Sequence, residues 1–143
     1  MVEAVTAEIG ADRTGVRFSP MSPWNDMADE NPEETFRRAA EAIRGIAFMH
    51  LVEGGGAEAL TPVLRDAFGG PVIVNGGYDA ARAQTAVQTG AAAVAFGVPY
   101  LANPDLAERL RLGAPLNEPD RATFYGSGER GYTDYPALEA ALA

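Results

Sequence analysis

Two short glycine turns and one strand arginine are the residues of this sequence whose types and spacing could do chemistry. Asn75-Gly76-Gly77 follows the apolar run Val72–Val74, and Gly97-Val98-Pro99 follows Ala92–Phe96. Glycine has no Cβ, so backbone N–H groups at such turns can approach a phosphate closely, and an adjoining helix N-terminus favours its negative charge. Taken singly, each also reads as a plain turn. Arg17 stands inside the run Val16–Ser19, flanked by Val16 and Phe18. A permanent charge there is costly unless it faces an anion or a carbonyl, or pairs with a carboxylate. His50 is the single histidine. Without histidine or acidic companions at ligand spacing, it reads as structural in preference to catalytic or metal-binding. Glu53, at the end of the same strand, reads as orienting a loop or His50, and Arg109-Leu110-Arg111 as a solvated helix face.

The elements that would position these residues alternate between strand and helix four times. Val16–Ser19 is a first strand. Asn31-Pro32-Glu33-Glu34 supplies the N-cap, N1 proline and N3 glutamate of a capping box for a helix over Pro32–Arg44, with Gly45 available beyond its end. Phe36, Ala39, Ala40 and Ile43 share one face of that helix. Ile46–Val52 is a second strand, and Thr61-Pro62 opens a second helix that Gly69-Gly70 closes. Val72–Val74 is a continuously apolar strand of the buried parallel kind. Asp79 caps a helix running to Gly90, Ala92–Phe96 is a fourth strand, and Asn103-Pro104-Asp105 starts a helix ending near Gly113. A tail rich in proline, glycine and aspartate follows, ordered where Phe124, Tyr125, Tyr132 and Tyr135 pack. Repeated strand–helix order implies a parallel sheet with right-handed crossovers. The placement of both glycine turns at strand ends matches where barrel folds hold phosphate.

Composition narrows the partners. The chain has 143 residues, well short of the roughly 250 typical of a complete (β/α)8 barrel. Cysteine is absent and all 11 cationic residues are arginine, which removes disulfides, thiolate metal sites and lysine Schiff bases. A net charge of −9 argues against nucleic acid. No apolar run is long enough to span a membrane and no secretory start is present, so the expectation is a cytoplasmic protein.

The stretch VAFGVPYLANPDLAERLRLGAPLNEPDRATFYGSGERGYTDYP, from Val94 to Pro136, resembles the carboxy-terminal end of the old yellow enzyme family, the FMN-dependent ene-reductases. PVIVNGGYD, AFMHLVEGG and TGVRFSP are similar to that family's later barrel strands. The resemblance implies half of a (β/α)8 TIM barrel, units five to eight, completed by a partner chain. Residues 1–13 then read as the end of a barrel helix and a loop, 14–113 as four βα units, and 114–143 as a tail covering the active-site side and the barrel exterior.

On that resemblance, FMN is the cofactor and NAD(P)H the reductant, with hydride passing to a small activated alkene. Arg17 is implied to face the flavin's pyrimidine edge, and Gly76, Gly77, Gly97 and Val98 to meet its phosphate. Relatives usually carry an arginine where Val98 stands, so the backbone N–H remains while the cation is gone. Trp24, Phe124 and Tyr125 match substrate-cavity positions, with anchoring of surface loops as the alternative. The family's oxygen-gripping pair and proton-donating tyrosine come from the amino-terminal half, so no catalytic residue and no metal site is expected on this chain. Two readings follow: one half of a split, heterodimeric ene-reductase, or a non-catalytic half-barrel that self-associates into a homo-oligomer and binds FMN or phosphate.

Overall fold

A computed structural model describes residues 1–22, 26–54, 57–126 and 128–138. The chain divides into two compact units, Met1–Ala95 and Phe96–Ala143.

The first unit opens with helix α1 (Val2–Ile9) and a 3-10 turn over Ala11–Arg13, then alternates β1 (Gly15–Phe18), α2 (Pro32–Ala42), β2 (Phe48–Val52), α3 (Thr61–Phe68), β3 (Val72–Asn75), α4 (Ala80–Gln88) and β4 (Ala93–Val94). The strands form one parallel sheet in chain order, β1-β2-β3-β4. Sequential parallel strands joined through helices that cover one face are consecutive βα units of the barrel type.

Local chemistry accounts for the helix boundaries. The side chain of Asn31 accepts from Glu34 N at 3.4 Å and that of Asp79 from Arg82 N at 2.8 Å, so both caps form as the sequence predicts. The capping box is only half made. Glu34 turns its carboxylate to Arg37 and Arg38, two charge-assisted partners on its own helix, while Asn31 N donates to Asp29 Oδ1 at 2.8 Å. Gly69 closes α3 in the left-handed region at φ 73°, its N–H returned to Arg65 O at 2.8 Å. The second strand begins at Phe48, two residues later than its apolar run suggests, and β4 is shorter than Ala92–Phe96.

Alternation along the strands sorts side chains onto two faces. Met49, Leu51, Val72 and Val74 are buried together with Ala40 of α2, Ile43 just beyond its end, and Leu64, Ala67 and Phe68 of α3. Phe18 meets Phe36 edge-on with ring centroids 5.6 Å apart, fastening β1 to α2. Arg44 Nε donates to Ala67 O at 2.5 Å, tying the end of α2 to α3.

The second unit holds α5 (Val98–Ala102), α6 (Leu106–Leu112) and a 3-10 turn over Arg121–Thr123. Here Arg109 departs from the solvated reading: it is 2% exposed, whereas Arg111 stays exposed and pairs with Glu108. The tail folds back over Arg109, which bonds Asp105 Oδ1 at 2.7 Å, Pro115 O at 2.6 Å and Pro136 O at 2.9 Å. Asn103, also buried, accepts from Asn117 N at 2.7 Å. Polar side chains thus hold the tail, where aromatic packing was expected. Of the four tail aromatics, Tyr135 is anchored through its hydroxyl to Asp120 N at 2.7 Å, while Tyr125 and Tyr132 are exposed.

Candidate functional site

The sheet face opposite the helices carries Arg17, His50, Ile73 and Ala93 as register partners across all four strands. Arg17 is exposed and is thus not buried against a carboxylate of its own unit. His50 lies beside it, half-buried, with Nε2 lacking a hydrogen-bond partner among the described residues. Burial first, and the neighbouring Arg17 charge second, hold the imidazole below its usual pKa. A neutral ring next to a permanent cation is the result. At the start of the same face Gly15 makes room for Phe48, whose ring occupies the space a Cβ would need.

Asn75-Gly76-Gly77 sits at the carboxyl end of β3. Asn75 Nδ2 donates to Ala95 O at 2.7 Å, which ties this strand end to the end of β4. Gly76 has φ 154°, and a Cβ there would overlap the carbonyl of Glu53; Gly77 is left-handed at φ 64° with open space where its Cβ would be. Both glycines are therefore required by the backbone, one for close approach and one for its dihedral. Glycine turns of this kind can present backbone N–H groups to a small anion.

Glu53 orients the loops and not His50. It is 8% exposed on the helix side of the sheet, and its carboxylate accepts from the hydroxyls of Thr61 and Tyr78. Burial, reinforced by the Glu53 carboxylate, raises the Tyr78 pKa, so the phenol remains a donor. These residues line a cleft of about 510 Å³ between α3 and α4, walled also by Arg65, Arg82 and Thr85. That cleft opens away from Arg17. The sequence signal for the network was one acid at a strand end followed by a hydroxyl eight residues on, too common a pattern to single out.

In the second unit, Gly97-Val98-Pro99 is not a free loop but the first turn of α5, with Tyr100 N and Leu101 N both donating to Gly97 O at 3.0 Å. Gly97 is exposed, with open space at its Cβ position, and Val98 is half-buried. Phe124 is half-buried beneath Arg121, 5.9 Å from its ring centroid, and Tyr125 projects into solvent. Trp24 lies outside the described residues. Among the described residues no cluster of three metal-ligating side chains occurs and no helix is long and apolar enough to cross a membrane.

Comparison with known proteins gives this arrangement a family. Residues 1–117 match the NADH:flavin oxidoreductase / NADH oxidase family. A Leishmania infantum protein named "Probable flavin mononucleotide-dependent alkene reductase" is 41% identical over 144 residues, which cover 96% of this chain and 40% of that protein. The 12-oxophytodienoate reductase 2 of Arabidopsis thaliana is 40% identical over 153 residues, 98% of this chain and 41% of the relative. Morphinone reductase in complex with tetrahydroNAD matches with a TM-score of 0.90 and 43% identity, over 99% of this chain and 40% of its own. The chain spans about two fifths of the length of these relatives. With its sequential parallel sheet, its strand-end glycine turn and these matches, the chain belongs to the NADH:flavin oxidoreductase / NADH oxidase family, that of the old yellow enzymes, and forms part of that family's TIM barrel.

Proposed function

We propose that this chain is the carboxy-terminal half of an FMN-dependent ene-reductase, barrel units five to eight with residues 114–143 as a covering tail, completed by an amino-terminal half on a partner chain. Bound FMN supplies the hydride carriage between NAD(P)H and an activated alkene. The chain's own part is binding and electrostatics. Arg17 carries the observation that supports the reading most: an exposed permanent cation on the face of the sheet that faces away from the helices, one strand over from a neutral His50. A cation in that place favours negative charge on the ring edge it meets. Gly76 and Gly77 in the first unit, and Gly97 and Val98 in the second, are assigned to the flavin phosphate. Phe124, Tyr125 and Trp24 are assigned to the substrate cavity. The oxygen grip and the proton donor belong to the complementary half, so the isolated chain is inactive.

The test is reconstitution. The chain alone and the chain mixed with an amino-terminal half from a family member are compared for flavin absorbance and for NADPH-dependent reduction of an enone. Activity appearing only on mixing supports the reading. Flavin binding by the chain alone without turnover, with sedimentation showing a homo-oligomer and no activity gained on mixing, would instead favour the non-catalytic self-associating half-barrel.

A further inference from the structure

The Gly76–Gly77 turn is gripped from one residue on the neighbouring strand. Glu53 N donates to Asn75 O at 2.6 Å, and the Glu53 carbonyl fills the space beside Gly76. Its carboxylate then reaches past the turn to accept the Tyr78 hydroxyl on the far side, and takes the Thr61 hydroxyl at the start of α3 with its other oxygen. Arg82 closes the turn from below: Nη1 donates to Gly77 O at 3.1 Å and the guanidinium lies 4.7 Å over the Tyr78 ring. Its own backbone N–H is held by the Asp79 cap. Every residue from Asn75 to Tyr78 is therefore fixed by Glu53 or Arg82.

A buried carboxylate is a costly way to hold two loops together, since apolar side chains of similar volume would pack there without desolvating a charge. What the carboxylate adds is direction. Two hydroxyl donors aimed at two fixed oxygens set the rotation of Tyr78, and with it the plane of the Gly77–Tyr78 peptide beside the open space at Gly77. A cradle made of backbone N–H groups depends on such orientation, because a hydrogen bond weakens steeply once its angle falls away from linear.

We propose that Glu53 is a positioning residue for the phosphate-binding turn at Gly76–Gly77, acting through Tyr78, and that the pair sets the site's preference for a phosphorylated flavin over an unphosphorylated one. This rests on the assignment of that turn to the flavin phosphate. Neither residue touches the phosphate; each holds the backbone that does.

The experiment compares FMN with riboflavin, which lacks the phosphate, by quenching of flavin fluorescence in the assembled barrel. Glu53→Gln keeps the volume but offers one acceptor in place of two. Tyr78→Phe removes only the hydroxyl. Each variant is expected to raise the FMN dissociation constant about tenfold, the order of one lost hydrogen bond to a charged group, and to leave that for riboflavin unchanged. The ratio of the two constants is the readout that a loss of packing alone does not move. Equal weakening of both ligands, or an unchanged ratio in both variants, overturns the proposal. Should Glu53→Gln fail to fold, Tyr78→Phe decides it alone. If the unaltered barrel itself binds riboflavin as tightly as FMN, the phosphate assignment of the turn falls, and this proposal with it.

Discussion

One sheet, two faces: the strands β1 to β4 present the same backbone to both sides, yet the side chains they project have different tasks. Toward the helices, Met49, Leu51, Val72 and Val74 are each at most 1% exposed. On the other side the register row Arg17, His50, Ile73 and Ala93 holds a cation, a neutral imidazole and two apolar groups, none of them fully buried. The helix side supplies the stability of the first unit. The opposite side, relieved of that duty, carries residues that would be costly in a core. The difference is a division of labour between alternate residues of the same strand.

The sharpest way to break the comparison is to cut the same kind of side chain from each face. Leu51→Ala leaves a hole among α2, α3 and β3 and is expected to cost about 2–5 kcal/mol. Ile73→Ala, half-buried on the other face, is expected to cost the chain less than half as much. Urea unfolding of both variants measures this, and equal losses would show that the faces are not divided as described. Arg17→Met then probes the other half of the comparison. Stability should stay within about 0.5 kcal/mol, as for a surface substitution, whereas in the assembled barrel the flavin should lose roughly 1.5–3 kcal/mol, the scale of one charge-assisted contact. That loss is shared between weaker binding and a lower reduction potential. Redox titration beside a flavin titration separates them, and no change in either would remove Arg17 from the cofactor.

A smaller effect is expected at the second unit. Val98→Arg supplies a cation at a half-buried position that has only its backbone to offer. Tighter FMN binding by about 1–2 kcal/mol, less than a fully desolvated pair would give, is the expected outcome, with riboflavin unaffected. Titration of the two flavins checks it; an equal gain for riboflavin would place the new charge away from the phosphate.

How much of this was legible in the sequence follows from the same contrast. Elements set by local chemistry could be read directly: the caps at Asn31 and Asp79, the left-handed glycines at Gly69 and Gly113, and the apolar strands. Arg17 stood out because a charge between Val16 and Phe18 has no cheap place to go. Which face each strand residue occupies was harder. FMHLV and VIV are apolar on both sides, so alternation is hidden, and only His50 breaks the run. Long-range polar ties were invisible. Glu53 reaches Tyr78 across 25 residues and Arg109 reaches Pro136 O across 27, and no local pattern announces either. Arg109 was misread for that reason: its i, i+4 partner Asp105 looks like a surface pair until the tail folds over both. Glu34 failed its capping box through competition, since two arginines one turn ahead outbid a backbone N–H.

The least effect is the one that tests the open face by pH. His50 is neutral in the fold, its pKa lowered by burial and then by Arg17, while in the unfolded chain it titrates near the ordinary value of about 6.5. A histidine with a depressed folded pKa binds its proton more readily when unfolded, so stability is complete above about pH 6.5 and declines as pH falls from there toward the folded value. The carboxylates held low by arginine, Glu34, Asp105 and Glu108, act in a lower window, below the ordinary carboxylate pKa. Because His50 is the single histidine, the slope between those windows belongs to it. Unfolding midpoints recorded from pH 7 down to pH 5 should fall gently in the unaltered chain and lie flat in His50→Gln. Arg17→Met should keep the slope but narrow its window, since one of the two causes of the lowered pKa has been removed. A slope that survives in His50→Gln, or a window that Arg17→Met leaves as wide as before, would mean that the row across the open face does not act as a unit.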